Sequence, residues 1–390
     1  MTLPPPPSTP YGGPHGGGIG GSPQWGSQQP DSAGGQFGGP PPWGPPPGQP
    51  QWGGPPAGPP PKGGKGKWIL GGIIVALVVA LAVTITVLVV RPESGGPSAT
   101  PTDGADSEFA SADDTGPVNI ITEDPTCKAW NTIAREYART SESVNWADRD
   151  QSIPSTAWTP VQRTMYETVK AALDKAADQT VSLIPLTPHR VMRELYEQFV
   201  AYARAFSDRI PGYVGDDRFL ASTADGLTSS AAAICSSIDY ESAQRLAPLV
   251  SDVEPPTRLS SAADGENPQP SLRAADAVCT RWADVLAQSD DDTKTWRELD
   301  PSIPATAWTP EQRSINEKVA TTMGGYADQY EEVARSSENP LFEDFGVLAA
   351  QYQRAFVLAI PTYTSSDNFL TNAATFLAAT LKSGCKVNKS

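Results

Sequence analysis

The chain has 390 residues, a formal net charge of −15, 40 prolines, 34 glycines, four cysteines and two histidines. Such acidity argues against nucleic acid or an anionic lipid surface as a partner. Two histidines, His15 in a Pro/Gly-rich stretch and His189 at a predicted helix start, leave Ser/His/Asp and Cys/His catalysis without support.

In chain order, residues 1–67 come first, with 20 Pro, 20 Gly and Asp31 as their only acid. Proline removes backbone donors and glycine maximises chain entropy, so a disordered tail with polyproline at Pro4–Pro7 and Pro45–Pro47 is expected. Trp25, Trp43 and Trp52 make that tail either a weak multivalent contact segment or a plain spacer.

Trp68 to Val90 follows, 23 residues without a charge. At about 1.5 Å per residue this is a helix of about 34 Å, enough for a hydrocarbon core of about 30 Å. The run is too long, and begins too far along the chain, for a cleaved signal peptide. Lys62, Lys65 and Lys67 precede it and only Arg91 follows closely, which places the tail in the cytoplasm and 91–390 outside. All four cysteines lie beyond the span, in the compartment where disulfides persist, and none forms a C-x-x-C pair. Residues 91–390 carry 26 Lys and Arg against 43 Asp and Glu, a net −17.

Residues 91–125, rich in Pro, Gly, Ser and acids, read as a flexible acidic stalk. Beyond them the chain is duplicated. "QSIPSTAWTPVQR" (151–163) and "PSIPATAWTPEQR" (301–313) share ten of thirteen positions, 150 residues apart. Trp130, Trp146 and Trp158 pair with Trp282, Trp296 and Trp308, and "YARAFSDRIPGYVGDDRFL" (202–220) with "YQRAFVLAIPTYTSSDNFL" (352–370). Tryptophans recurring in register are core anchors of two copies, 126–240 and 276–390, around a linker at 241–275. Each copy offers four segments with apolar residues at helical spacing, such as Val191, Leu195, Phe199, Tyr202 and Phe206, and none alternates with period two. The fold class is therefore all-α: tail, transmembrane helix, then two tandem four-helix bundles in up-down-up-down order. Of three possible cysteine pairings, only Cys127–Cys235 with Cys279–Cys385 staples each bundle at its own base. The Pro-rich stretch 254–270 offers little to couple the bundles.

The repeated motif reads as architecture. Thr159 and Thr309 take the N-cap, Pro160 and Pro310 the first helical position, and Gln162 and Gln312 the third, a capping box on the second helix of each copy. Trp158 and Trp308 precede the cap, each able to stack on an Arg at the fourth position.

No P-loop, H-E-x-x-H, dinucleotide fingerprint or calcium-loop spacing occurs, so no catalytic residue, metal site or cofactor is expected. The acid pairs, Glu343/Asp344 among them, read as solvated loop and helix-start residues. Arg204 and Arg354 lie off the core stripe of the third helix, with Tyr213/Tyr363 and Asp217/Asp367 in the following loop. Two readings stay open: an Arg that holds this loop, or a recognition surface displayed once per repeat.

"PPPPSTPYGGPHGGG", "PPWGPPPGQPQWGGPP" and "KGGKGKWILGGIIVALVVALAVTITVLVV" together resemble the proline-rich single-pass membrane proteins of mycobacteria and related actinobacteria. The resemblance implies a cell-envelope setting and supplies no active site. The expected function is a non-enzymatic envelope protein whose extracytoplasmic helical domains bind or scaffold a protein partner. The alternative is a sensory or regulatory subunit that transmits ligand binding across the membrane, favoured if a buried polar pocket lies between the repeats. Nothing in the sequence names the partner or the oligomeric state.

Overall fold

A computed structural model describes residues 110–260 and 267–387, and among these every regular element is a helix. The expected tail, the expected span at 68–90, the start of the stalk and residues 261–266 lie outside the described residues. Among the described residues, no helix is long and apolar enough to cross a membrane.

The first repeat comprises α1 (Cys127–Ser143), α2 (Pro160–Val181), α3 (Arg190–Arg209) and α4 (Arg218–Asp239). A short α5 (Ser242–Leu246) follows. The second repeat comprises α6 (Asp276–Asp292), a single turn α7 (Lys294–Arg297), α8 (Pro310–Arg335), α9 (Pro340–Ala359) and α10 (Asn368–Gly384). Within each repeat consecutive long helices pack on each other and the first meets the fourth. Cys127–Cys235 and Cys279–Cys385 form disulfides, with Cα atoms 5.2 and 5.6 Å apart, closing each repeat between its first and last helix.

Trp130 and Trp282 are fully buried core anchors. Trp130 lies edge-on to Phe199 and tilted over Tyr196, while Trp282 meets Phe342 and Tyr330. Gly346 permits this approach in the second repeat, since a Cβ there would lie 2.5 Å from the Ala334 Cβ and 3.4 Å from the Trp282 ring.

The repeats are not separate bundles on a passive linker. Their fourth helices, α4 and α10, pack against each other over most of their length, and the buried apolar side chains of both repeats form one continuous core. Residues 110–125, expected as flexible stalk, form an arm without helix or strand that buries Val118, Ile120 and Ile121. Tyr352 on α9 donates its hydroxyl to the Ile121 carbonyl at 3.4 Å, so the arm of the first repeat reaches the second. The equivalent segment before α6 does the reverse: the Leu272 amide donates to Tyr202 Oη on α3 at 3.2 Å, and the Ser271 amide to Gln198 Oε1 at 2.9 Å. Equivalent helices in contact and reciprocal arms define an approximate two-fold relation. Residues 241–260 and 267–275 take part in it, because α5 packs on α9 and Leu246 and Leu272 are buried. Proline and polar composition suggested a linker; in these described parts the few apolar residues dock on the opposite repeat instead.

Close approach of α4 and α10 depends on Gly226, where a Cβ would lie 2.3 Å from Thr380 Oγ1. Gly226→Val is expected to destabilise the domain by about 1–3 kcal/mol through overpacking. Gly324→Ala, on α8 with nothing within 4 Å, should instead stabilise by up to about 1 kcal/mol. Thermal melts of both variants check the pairing of α4 with α10, and equal effects would contradict it.

Candidate functional site: a buried charge cluster between the repeats

The sequence-predicted positions are mostly architecture. At Thr159 and Thr309 the capping box is complete: each Thr Oγ1 accepts the amide of Gln162 or Gln312 at 3.2 Å, and each Gln Oε1 accepts the Thr amide at 2.9 Å. Pro160 and Pro310 open the two helices. Trp158 and Trp308 donate Nε1 to the carbonyls of Ile153 and Ile303, both at 2.9 Å, and Arg163 and Arg313 stand 5.9 Å over their rings. Trp158 stacks on Tyr166 at 3.9 Å. In the second repeat Asn316 stands at that position and accepts from Trp296, leaving Trp308 to stack on Tyr363.

The six residues considered for a recognition surface divide. Tyr213 and Tyr363 are buried, and their hydroxyls donate to the carbonyls of Gln151 and Pro301 at the start of the repeated motif. Asp217 and Asp367 accept the amides of Val214 and Thr364, both at 2.8 Å, and so cap their own loop. Asp367 is fully buried and pairs with Arg245 of α5. Arg204 and Arg354 reach neither the Tyr nor the Asp. Arg204 pairs with Asp178 on α2 at 3.1 Å; Arg354 pairs with Asp328 and Glu331 on α8 at 2.7 and 2.6 Å. They clamp the third helix to the second, and the loop is held instead by its own tyrosine and aspartate. Tyr213, Tyr363 and Asp367, being inside, cannot form a displayed surface.

The concentration of charge that the sequence reading missed lies on the N-terminal halves of α3 and α9. Arg190, Arg193, Glu194 and Glu197 recur at i, i+3, i+4 and i+7, a stripe that locally reads as a solvated face. All four are buried, Glu194 completely. Arg190 donates Nε and Nη2 to the two oxygens of Asp344 on α9, at 3.0 and 3.2 Å, a fork between the repeats. Its Nη1 donates to the arm carbonyls of Asp114 and Gly116 at 2.9 and 3.3 Å, and its amide to Asp114 Oδ2 at 2.7 Å. Arg193 donates to Ser111 Oγ on the arm and to Glu197, both at 2.6 Å. Ser260, from the segment between the repeats, donates to Glu194 Oε1. Arg335 of α8 adds Glu331 and Glu343. The Glu343/Asp344 pair, read from sequence as solvated, is therefore buried; the partner that excludes water comes from the other repeat.

Burial, and then the facing charge of Asp344, pushes the Glu194 carboxyl well above its ordinary value. Burial also raises Asp344, against the opposing pull of Arg190. His189, at the N-cap of α3 with Nδ1 3.9 Å from Asp114 Oδ2, is half-buried rather than on the open surface, and burial holds its imidazole below the usual value. Among the described residues no cluster has the make-up of a metal site. The arrangement is suited to holding segments together and to exchanging a proton.

One sequence signal could have pointed here: Glu194 and Asp344 are 150 residues apart, the repeat spacing, and both are acids near the start of the third helix of their repeat. No solved structure matches the chain. An uncharacterized protein of Mycolicibacterium smegmatis (strain MKD8) is 40% identical over 327 residues, covering 82% of this chain and 86% of that protein. A family described as mycobacterial ESX-1 associated protein matches residues 109–389, from the start of the arm to the end of the second repeat. The arm, the two interlocked repeats and the cluster between them are thus one family unit, and the chain belongs to the mycobacterial ESX-1 associated protein family.

Proposed function

We propose that this protein is a non-enzymatic accessory of the ESX-1 secretion system, anchored by a single span at 68–90, whose two-repeat helical domain lies outside the membrane and binds a protein partner. The carrying observation is the family match over the whole helical domain, with the family's association with ESX-1 in its description. The uncharged run Trp68–Val90 and the lysines that precede it, against a single nearby Arg91 after it, support the anchor and its orientation. Two disulfides suit an oxidising compartment.

The test is in-cell photo-crosslinking from probes at Arg204 and Arg354, which remain partly exposed. Products containing an ESX-1 component are expected, together with protease removal of 91–390 from intact spheroplasts. Crosslinks unchanged in a strain without ESX-1, or digestion of the tail in place of the outer region, would overturn the reading.

A sensory role is the second reading, favoured by one observation: the site between the repeats is polar and buried, with Glu194 and Asp344 both wholly inside.

A further inference from the structure

Glu194 and Asp344 are equivalent positions of the two repeats, and both are removed from water where α3 approaches α9. Two carboxylates are acceptors only and cannot bond to each other. Glu194 Oε1 is satisfied by Ser260, but Oε2 has no hydrogen-bond partner. A buried unpaired acceptor beside a second acid is the arrangement in which one proton is retained between two carboxyls. We propose that Glu194 and Asp344 share a proton, and that this proton pins a pH-sensitive latch joining the arm 110–121 and both repeats.

The groups facing the pair show why a proton is held there. From α3 they are Arg190, Arg193 and Glu197; from α9, Glu343; from the arm, Asp114; from α8, Arg335; and His189 stands at the α3 N-cap. The cations are divided among several acceptors: Arg190 between Asp344 and the arm, Arg193 between Glu197 and Ser111, Arg335 between Glu331 and Glu343. Losing the proton leaves Glu194 and Asp344 both negative in a buried site that also holds Glu197 and Glu343. Arg190 answers to both the pair and the arm, so repulsion at the pair reaches the arm directly.

Its sign is fixed by linkage. Both acids lie above their ordinary values, so the folded state binds protons more tightly than the unfolded chain. The stability they contribute is fully present below the ordinary carboxylate value and is lost as pH rises from there through the raised values. His189 acts oppositely: depressed by burial, it removes stability as pH falls below its unfolded value of about 6.5. A variant at Glu194 separates the two.

Hydrogen exchange of the full-length chain, expressed as protection relative to intrinsic rates, is compared at about pH 5, just above the ordinary carboxylate value, and at about pH 8. Arm amides 110–121 are expected to lose protection several-fold at the higher pH, and Glu194→Gln, with the proton's place taken by an amide, to keep it. Infrared difference spectra should show a protonated-carboxyl C=O band that disappears over the same interval and is missing from Glu194→Gln. If that variant does not fold, Ser260→Ala decides: it removes the donor that favours the charged form, so the midpoint of arm release should move to higher pH. Arm protection independent of pH, a band unchanged by Glu194→Gln, or a midpoint unmoved by Ser260→Ala each overturns the latch.

Discussion

Arg190→Ala is expected to destabilise the two-repeat domain by about 3–5 kcal/mol, the usual cost of removing one partner from a buried ion pair. Asp344 would be left wholly buried without its fork, and the carbonyls of Asp114 and Gly116 would lose their donor. Loss of those arm contacts gives the effect a spatial signature. Limited proteolysis should open the 110–121 segment while the two disulfides remain intact. Arg204→Ala is the control, because its pair with Asp178 is largely exposed and surface pairs contribute about 0–1 kcal/mol. Comparable losses for the two arginines in denaturant melts would mean that the cluster between the repeats carries no special weight.

The second large effect concerns the anchors. Trp130→Ala and Trp282→Ala should each cost about 3–5 kcal/mol, as expected for a large aromatic in a packed core. Trp282→Ala also leaves the Ala378 carbonyl without the indole donor that reaches it at 3.0 Å. Either substitution should lower one shared transition, because α4 and α10 join the repeats through a continuous core. Reading 254–270 as a loose Pro-rich connection leads to the opposite expectation, two melts in which only the mutated repeat moves. Calorimetry of the full-length chain distinguishes them. Two separated transitions after Trp130→Ala would show that the interlocking of arms and fourth helices contributes little.

Much of the local architecture was legible without coordinates. The Thr-Pro-x-Gln starts, the tryptophans recurring at the repeat spacing and the 3.6-residue apolar stripes each depend on neighbours within a turn or two. Such signals survive in one dimension. The disulfide partners followed from them, because helix order alone brings Cys127 to Cys235 and Cys279 to Cys385. Glu343 and Asp344, read as solvated, stand at a helix start where acids are ordinary, and a single helix cannot show that another helix will cover them.

What the sequence by itself determined is therefore the helical class, the duplication, the helix entries and the pairing of cysteines, together with an uncharged run long enough to span a bilayer. Only the tertiary structure decided that the arm and residues 241–260 and 267–275 dock on the repeats, that the repeats share one core, and that Glu194 and Asp344 are both buried inside it. The physical reason is distance along the chain. Caps and stripes are energies of residues a few positions apart, whereas the burial of a charge depends on what arrives from 150 residues away.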